Sequence, residues 1–417
     1  MKKIVIIVLW IFSIIISIIW SYEHPEKIES LKDSFKKNKS PEIENIESEK
    51  KIFVANSFEV HTKKIIALKD KTAFVIYPKD QKNFNKEKLK IYTQNGFVIE
   101  NFQQKKLDLP KYFTLQRNGG IKTIISIEEN KIALISGSEN NCFFASLILL
   151  ENGNELMRTK CLPEEPRNND FNGLGSSNIH LDDFLYLTLG TPEKHISKNS
   201  PLAQNNKYLF GKVLKIKKSD VIKKIDNQTE TLKIDIFSKG HRVPQGLTRI
   251  NDSIFNVEHG PKGGDELNLV IENGNYGWPL VSYGTNYLKE NGGDGKSINF
   301  NHDLNNFNEP LLALVPSIGI SSLNNCPNVL KNYYKKRCLM ALSLYGNNLR
   351  KGHSIIVFLL NDLMTKVDSF EIIKLDNLVL RHFVTSELNE LYEDENGDIY
   401  VSADKKGIYK ISFLNFR

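Results

Sequence analysis

The sequence predicts an all-β protein built as a six-bladed β-propeller with four-stranded blades, preceded by an N-terminal transmembrane helix. The 417-residue chain has an ordinary globular composition, with 40% hydrophobic and 25% charged residues. Its 23 Phe and 15 Tyr residues favour strands over helices. Alternating strands interrupted by short polar turns recur along the chain, and this pattern is the signal of β-hairpins.

The first 22 residues predict a signal anchor. Lys2 and Lys3 precede an apolar run over residues 4–20, and Trp20 and Tyr22 suit a membrane interface. The run has no small-residue cleavage pattern, so we expect an uncleaved, single-pass helix with the N-terminus in the cytoplasm. A cleaved signal peptide is the alternative. In both cases the main domain is expected in the periplasm or outside the cell.

Residues 23–51 predict a charged, flexible tether. Fifteen of these 29 positions carry a charge, and both signs are mixed. Such a segment buries too little apolar surface to offset the entropy lost on ordering. The propeller is therefore expected to span residues 52–417.

Six copies of one unit predict the six blades. Each copy is an alternating strand, a polar turn containing Asp, Asn or Gly, and a second strand. The copies with both strands cover residues 65–77, 124–136, 179–189, 247–257 and 391–401, and residues 337–344 keep only the second strand. The intervals leave room for a four-stranded sheet and show no helical periodicity, which indicates a propeller rather than a sandwich.

The charge and the cysteines restrict the class of protein. A net charge of +7 is small for this length, and the lysines are scattered, so we expect no nucleic-acid partner. Cys142 and Cys161, and Cys326 and Cys338, form two sequence-local pairs in the part expected to be exported. Two disulfides in an oxidising compartment are one interpretation, and four buried free thiols are the other.

The stretch with most chemical character is EHGPKGGDELN, residues 258–268. A Gly/Pro turn exposes its carbonyl oxygens, and Asp265 and Glu266 follow directly. Carbonyl and carboxylate oxygens are the ligands that calcium prefers, so this turn is a candidate calcium site. A tight loop with solvated acids is the alternative.

This stretch belongs to a longer series. GHRVPQGL (240–247), EHGPKGGDELN (258–268) and GNYGWP (274–279) together resemble the soluble glucose/sorbosone dehydrogenase family, particularly its aldose sugar dehydrogenase branch. The resemblance implies a six-bladed propeller that oxidises the anomeric hydroxyl of a sugar with pyrroloquinoline quinone (PQQ) and calcium.

The resemblance also assigns roles to individual residues. It implies that Arg242, with His259 beside it in the motif series, contacts the quinone. The carbonyls of Gly260 and Pro261 would hold calcium beneath the cofactor, next to Asp265. Two further residues, Glu266 and Tyr276, the latter through its backbone, would form a second, structural calcium site.

Two positions depart from the family pattern at the catalytic base. Gly173 stands where the family has its histidine base, and Thr191 stands where it has the aspartate that orients that histidine. His180 is a candidate displaced base, although an ordinary strand histidine is the more natural interpretation. His195 is a weaker candidate, and His241 is interpreted as structural.

Further departures affect the expected anion site. A family lysine corresponds to Ser343, and two family arginines correspond to Glu387 and Asn389. PQQ carries three carboxylates, so these changes support an alternative function. The alternative is a non-catalytic calcium-binding propeller whose ligand is a glycan, an envelope component or a partner protein. Hydrolase or lactonase chemistry at a repurposed metal site is a third hypothesis.

Overall fold

The computed structural model describes residues 40–46, 50–163, 170–193, 200–287, 294–303, 306–345 and 353–417. The predicted anchor, residues 1–22, lies outside these residues, as does most of the predicted tether. Within the described residues, no helix has both the length and the apolar character needed to cross a bilayer.

Strands dominate the described part of the chain. In chain order they are β1 (Ile43–Glu44), β2 (Lys51–Val54), β3 (Glu59–Leu68), β4 (Thr72–Ile76), β5 (Lys90–Thr93), β6 (Phe97–Glu100), β7 (Gln103–Lys106), β8 (Ile121–Ile127), β9 (Asn130–Glu139), β10 (Cys142–Leu149), β11 (Glu155–Arg158), β12 (Asn178–Leu181), β13 (Phe184–Leu189), β14 (Lys212–Lys217), β15 (Asp235–Lys239), β16 (Val243–Ile250), β17 (Ser253–His259), β18 (Asp265–Val270), β19 (Gly274–Asn275), β20 (Leu312–Leu314), β21 (Ile320–Asn325), β22 (Cys338–Ser343), β23 (Ser354–Leu360), β24 (Val367–Lys374), β25 (Leu380–Phe383), β26 (Ile399–Ala403) and β27 (Gly407–Leu414).

Helices are few and short. The described residues contain two α-helices, α1 (Lys218–Asp226) and α2 (Asn328–Tyr334). Single turns of 3₁₀-helix cover Lys86–Lys88, Gln116–Asn118, Phe171–Leu174 and Ser200–Ala203. All of them lie in connections between strands.

The strands form six sheets, which are the six predicted blades. The first five blades are β4–β7, β8–β11, β12–β15, β16–β18 with β20, and β21–β24. The sixth combines both ends of the described chain, because β3 pairs with β27 and completes the sheet of β25, β26 and β27. This pairing closes the ring. The prediction of a six-bladed propeller is confirmed. Four blades have four strands, as predicted, while the third also contains β19 and the sixth also contains β1 and β2.

The six sheets surround a channel lined by the first strand of each blade, namely β4, β8, β12, β16, β21 and β25. Apolar clusters lie between neighbouring sheets. In one of them Ile125 of β8 packs in the same core as Leu187 of β13 and Leu214 of β14. Since burial on both faces removes the need for alternation, β8 reads IKTIISI and is buried throughout.

Four of the predicted hairpin units match observed strands. The units at 124–136, 179–189 and 247–257 are the pairs β8–β9, β12–β13 and β16–β17. The unit at 337–344 contains β22. In the unit at 391–401, residues 399–401 belong to β26, and the part before them is a loop joined to β26 by an isolated bridge between Glu393 and Ile399.

The predicted hairpin at residues 65–77 is wrong. Its two strands, β3 and β4, belong to the sixth and the first blade and do not pair with each other. A propeller joins the outermost strand of one blade to the innermost strand of the next by a short polar turn. The sequence pattern of that connection is therefore the same as the pattern of a hairpin.

Two disulfides are present, Cys142–Cys161 and Cys326–Cys338, with Cα–Cα distances of 5.2 and 5.5 Å. These are the two pairs predicted from the sequence. Within the predicted tether, Ile43 and Glu44 form β1 and pair with Leu68 and Ala67 at the edge of the sixth blade. Ordered structure thus begins before the predicted boundary at residue 52.

Candidate functional site

One cavity opens at the end of the channel where the innermost strands begin. Its volume is about 680 Å³, and all six blades contribute to its lining. Thr72, Ile121 and Val243 are the first residues of β4, β8 and β16, and all three line it. The direction shared by the inner strands therefore brings residues distant in sequence to one place.

Arg242 lies at this mouth, beside the Gly/Pro loop. Val243 pairs with His259 in the ladder between β16 and β17, which sets Arg242 next to the residues after β17. Its Nη1 donates a hydrogen bond to the Gly260 carbonyl at 2.6 Å and a longer one to the His259 carbonyl at 3.3 Å. The centre of the guanidinium lies 5.2 Å from the Trp278 ring centroid. The predicted loop carbonyl and the predicted arginine are thus in direct contact.

Asp265 holds this loop in place. Its Oδ1 accepts a hydrogen bond from the Gly260 amide at 3.2 Å, and its Oδ2 accepts from the amides of Ile318 and Ile320, both at 3.0 Å. The carboxylate predicted as a metal ligand therefore fastens the loop to the fifth blade. Gly264 has φ of +69°, and a Cβ there would lie 2.5 Å from the Gly284 nitrogen, so only glycine fits.

The fit of calcium to the mouth depends on the Gly260 carbonyl. That oxygen already accepts a hydrogen bond from Arg242, and its second lone pair is the one left for a metal ion. Within the described residues, no group of three or more His, Cys, Asp or Glu side chains is arranged to hold a metal. A cation at Gly260 and Pro261 would thus have mainly carbonyl ligands and would share one of them with a guanidinium.

A buried pair of carboxyl groups lies behind the loop. Glu258 and Glu266 face each other across the ladder between β17 and β18, and both are nearly inaccessible to solvent. Burial raises the pKa of Glu258 to about 8. Burial and the charge of Glu258 raise the pKa of Glu266 well above its usual value. Two adjacent buried carboxyls need a proton or a cation between them, which fits the predicted second calcium site.

His241 and Tyr276 complete this buried cluster. His241 Nδ1 lies 3.0 Å from Glu258 Oε2, and its Nε2 lies 2.8 Å from Ser238 Oγ. The imidazole stacks on the Tyr276 ring at 4.6 Å between centroids. Burial lowers the pKa of His241 to about 3, so the ring is neutral. These contacts agree with the interpretation of His241 as structural.

Sequence reasoning missed the cations that the first, second and sixth blades bring to the cavity. Lys71, Lys122 and Arg381 all line it. Burial lowers the pKa of Lys122 to about 7; Asp170 partly opposes this effect, and the charges of Arg381 and Lys71 add to it. Burial also lowers the pKa of Lys71. The only sequence signal was a lysine at the start of a strand that becomes innermost.

Two of these cations differ in the charge of their partners. Lys122 Nζ donates to the Asn118 carbonyl at 2.7 Å. Arg381 forms a bidentate pair with Asp404, with both distances 2.5 Å. Lys122 donates to a neutral carbonyl and has lost most of its hydration, so it favours an incoming anion.

This chain has no cation at the three positions where the family has a lysine and two arginines. Ser343 is buried and accepts a hydrogen bond from the Ser354 amide. Glu387 pairs with Lys131 at 2.8 Å, and Asn389 donates to the Asn178 carbonyl at 2.7 Å. None of the three lines the cavity. The cavity instead takes positive charge from Lys71, Lys122 and Arg381, and the predicted depletion of the anion site stays a prediction.

The wall at Gly173 is closed. A Cβ at this position would lie 2.2 Å from the Thr191 carbonyl oxygen and 2.8 Å from the Glu193 nitrogen. Thr191 is itself occupied, because its amide and its Oγ1 both donate to the Arg242 carbonyl, at 2.8 and 3.1 Å. A histidine at position 173 requires the backbone to move. The two family positions now serve to pack backbone against backbone.

Of the other candidate histidines, two line the cavity and one lies within a blade. His259 and His382 line the cavity, and burial lowers both pKa values, that of His382 to about 3. His180 lies in β12, where burial lowers its pKa to about 4, and it is not among the residues that line the cavity. His195 lies outside the described residues.

Comparisons with known proteins agree with this geometry. The sequence model of the Glucose / Sorbosone dehydrogenase family matches residues 137–353, just over half of the chain. An aldose sugar dehydrogenase of Escherichia coli K12 is 34% identical over 109 residues, which are 25% of this chain and 28% of that protein. Quinoprotein glucose dehydrogenase B of Acinetobacter calcoaceticus is 34% identical over 103 residues, 24% of this chain and 22% of that protein. The matches thus span about a quarter of the length of these curated relatives.

Solved structures show the same fold over a longer range. The soluble aldose sugar dehydrogenase of Escherichia coli, in its apo form, superimposes with a TM-score of 0.62 at 18% identity and covers 89% of this chain and 99% of its own. The PQQ-bound aldose sugar dehydrogenase of Streptomyces coelicolor gives a TM-score of 0.55 at 14% identity, covering 90% and 98%. At these identities the likeness concerns the fold.

Proposed function

We propose that this chain, which belongs to the glucose/sorbosone dehydrogenase family, binds a planar quinone with several carboxylates in the cavity at the channel mouth. We propose further that the bound quinone oxidises a hydroxyl group of an aldose sugar. PQQ is the quinone class that the family resemblance indicates. The observation that carries the proposal is the cationic lining of the cavity beside Arg242 and the Gly260 loop.

Charge supports a polyanionic ligand. Within the described residues the lining contains the cationic side chains Lys71, Lys122, Arg242, Lys262 and Arg381. Its acidic side chains are Asp170, Glu193 and Asp265, and Asp265 is occupied by three backbone amides. Cations in a concave site bind carboxylates strongly, because hydrogen bonds between charged groups strengthen away from water.

Each cation has a separate part in holding such a ligand. Arg242 offers a planar guanidinium beside the Trp278 ring, a surface suited to the edge of an aromatic ligand. Lys122 and Lys71 supply charge from the opposite blades. When bound, the quinone supplies a two-electron acceptor; the chain supplies its position and the exclusion of water.

Calcium is part of the proposal at the buried carboxyl pair of Glu258 and Glu266. A divalent cation there would replace the proton that burial otherwise forces onto the pair. A second calcium at the Gly260 and Pro261 carbonyls would have to share the Gly260 oxygen with Arg242. We therefore propose the buried pair as the stronger calcium site.

Binding and turnover can be tested separately. The chain has three tryptophans, so the double variant Trp10→Phe, Trp20→Phe leaves Trp278 as a single reporter beside Arg242. Titration with PQQ should quench its fluorescence with saturation at one quinone per chain. Addition of an aldose and an artificial electron acceptor should then reduce the acceptor. Absence of quenching at millimolar PQQ would refute the proposal.

A second candidate is a propeller that binds its ligand without oxidising a sugar. The observation that favours it is the closed wall at Gly173, where no histidine base fits. It predicts saturable quenching of Trp278 by PQQ with no sugar-dependent reduction of the acceptor. The same two measurements therefore separate the two functions.

We also propose that residues 1–22 hold the propeller at a cell membrane, on the extracytoplasmic side. The two disulfides support this location, because such bonds persist in oxidising compartments. Protease added to cells with a permeabilised outer envelope should digest the propeller while the inner membrane remains intact. Protection from protease under these conditions would contradict the proposal.

A further inference from the structure

A second cavity lies at the opposite end of the channel from the mouth, and we call it the far-end cavity. Its volume is about 590 Å³. Val243 and Ile250 are the first and last residues of β16; Val243 lines the mouth cavity, and Ile250 lines the far-end cavity. Seven residues of strand separate these two positions by about 23 Å. The motif series assigns no ligand to this second space.

Positive charge dominates the lining of the far-end cavity. Two of the described residues that line it are acidic, Asp362 and Glu390. Glu390 is already paired, because Lys79 Nζ lies 2.5 Å from its Oε2. Five of the described lining residues are cationic, namely Arg249, Lys331, Lys335, Lys336 and Arg337. The cavity therefore carries a surplus of positive charge.

Neutral groups hold the two arginines in position. Arg249 Nη1 donates a hydrogen bond to the Asn251 carbonyl at 3.2 Å, and Arg337 Nη1 donates to the Asp362 carbonyl. A carbonyl oxygen fixes a guanidinium without neutralising its charge. Both arginines therefore combine a defined position with an intact charge, which suits the recognition of an oxyanion.

Four of the five cations belong to one loop that a disulfide closes. The Cys326–Cys338 bond joins the residue after β21 to the first residue of β22, with a sequence separation of 12. The loop is fastened again near its start, since both carboxylate oxygens of Glu393 accept from the Asn328 amide, at 3.1 and 2.9 Å. It contains α2 and carries the cations Lys331, Lys335, Lys336 and Arg337. These charges thus lie on a constrained segment, which favours a preorganised binding site.

The size of the cavity and the distribution of its charge indicate the class of ligand. Arg249 belongs to the fourth blade, whereas the disulfide-closed loop belongs to the fifth, so the cations come from two neighbouring blades. A water molecule takes up about 30 Å³, so one phosphate group fills only a small part of this space. The guanidinium fork matches two phosphate oxygens at once, and lysines add point charges. A ligand with more than one phosphate group therefore matches both the size and the charge.

We propose that the far-end cavity binds a small ligand that carries two or more phosphate groups. This site is separate from the mouth cavity, and its residues take no part in the proposed binding of the quinone. The inference therefore goes beyond the proposed function and does not depend on sugar oxidation.

Pyrophosphate is the probe that tests this site. Calorimetry in a low-salt buffer should show saturable binding of one pyrophosphate per chain, and inorganic phosphate should bind at least about tenfold more weakly because it meets fewer cations. The double variant Lys335→Asn, Arg337→Gln removes two charges from the loop. Asparagine tolerates the left-handed backbone at position 335, where φ is +52°. This variant should weaken pyrophosphate binding by at least about tenfold.

Two lysines of α1 provide the matched control. The variant Lys223→Gln, Lys224→Gln removes the same charge from residues outside the far-end cavity, so it should keep the wild-type affinity for pyrophosphate within about threefold. Arg249→Gln tests the fourth blade independently of the loop and should weaken pyrophosphate binding by about tenfold. Unchanged affinity in both the loop variant and Arg249→Gln would overturn the inference.

The mouth cavity is also cationic, so the position of the bound pyrophosphate needs its own measurement. In the protein with Trp278 as its single tryptophan, pyrophosphate should leave the fluorescence unchanged, and Lys122→Met should keep the wild-type affinity for pyrophosphate. Loss of that affinity in Lys122→Met would place pyrophosphate at the mouth and overturn the inference. Quenching of Trp278 by PQQ should be the same in the loop variant and the wild type, so a failure of quinone binding is observed separately.

Discussion

Replacing Lys122 by methionine should stabilise the ligand-free protein and weaken its binding of a polyanionic quinone. Burial lowers the pKa of Lys122 from 10.5 to about 7. At 1.36 kcal/mol for each pKa unit, the folded cavity disfavours the charged amine by roughly 5 kcal/mol. The variant also loses the hydrogen bond to the Asn118 carbonyl, and this loss offsets about 1 kcal/mol of the stabilisation.

The effect depends on pH in a defined direction. Between pH 7 and 10.5 the unfolded chain keeps the Lys122 proton and the folded chain releases it, so wild-type stability rises with pH. The advantage of Lys122→Met should therefore be about 3 kcal/mol at pH 7 and should vanish near pH 10.5. Urea unfolding of both proteins at pH 7 and at pH 10 measures this difference.

Lys212 provides the matched control. Burial lowers its pKa to about 7 as well, yet it lies outside the cavity lining, and its Nζ donates to the carbonyls of Leu202, Ala203 and Phe210, each at 2.8 Å. Lys212→Met leaves three buried carbonyls without this donor. Lys212 has the same lowered pKa as Lys122, so the gain from removing the buried amine is similar. The two extra hydrogen bonds lost should make Lys212→Met less stable than Lys122→Met by about 2 kcal/mol or more at pH 7, with no change in quinone affinity.

Quinone binding provides a second test of the role of Lys122. A carboxylate next to Lys122 raises its pKa again, so quinone binding at pH 8 should take up close to one proton per chain. Calorimetry in two buffers of different ionisation enthalpy measures this uptake, which Lys122→Met should abolish along with at least tenfold in affinity. No proton uptake, together with unchanged affinity in the variant, would refute the reasoning.

Three further perturbations test other parts of the molecule. Gly173→Ala should destabilise the fold by about 2–3 kcal/mol in urea unfolding, because its Cβ would meet the Thr191 carbonyl; unchanged stability would show that the wall is not closed. Calcium should raise the melting temperature of the wild type but not that of Glu266→Gln, and an equal rise in both would place calcium elsewhere. Replacing Cys326 and Cys338 together by serine should lower the free energy of unfolding by about 2–4 kcal/mol, and no loss would argue against this disulfide.

The sequence predicted the part of the site that is local along the chain. Arg242 and Gly260 are only 18 positions apart, and the pairing of β16 with β17 brings them into contact. A motif series that covers both strands therefore predicts the contact between Arg242 and Gly260. The two cysteine pairs are local for the same reason, because each lies within one blade, whereas one of the six units behind the blade count spans two blades.

The remainder depends on closure of the ring. Lys71 and Lys122 reach the cavity only because six inner strands begin at the same end of the channel. Glu193 gains its position because the Gly173 turn packs against its segment. The residues adjacent to them in the sequence do not indicate such contacts. The error at residues 65–77 has the same origin, since the turn between two blades resembles the turn within one blade.

A crystal structure of the protein with bound PQQ tests the central claim most directly. We predict the quinone at the channel mouth, with its carboxylates within hydrogen-bonding distance of Lys122 and Arg242. Quinone on the outer surface of the propeller, or a mouth that stays empty in crystals grown at saturating PQQ, would contradict it.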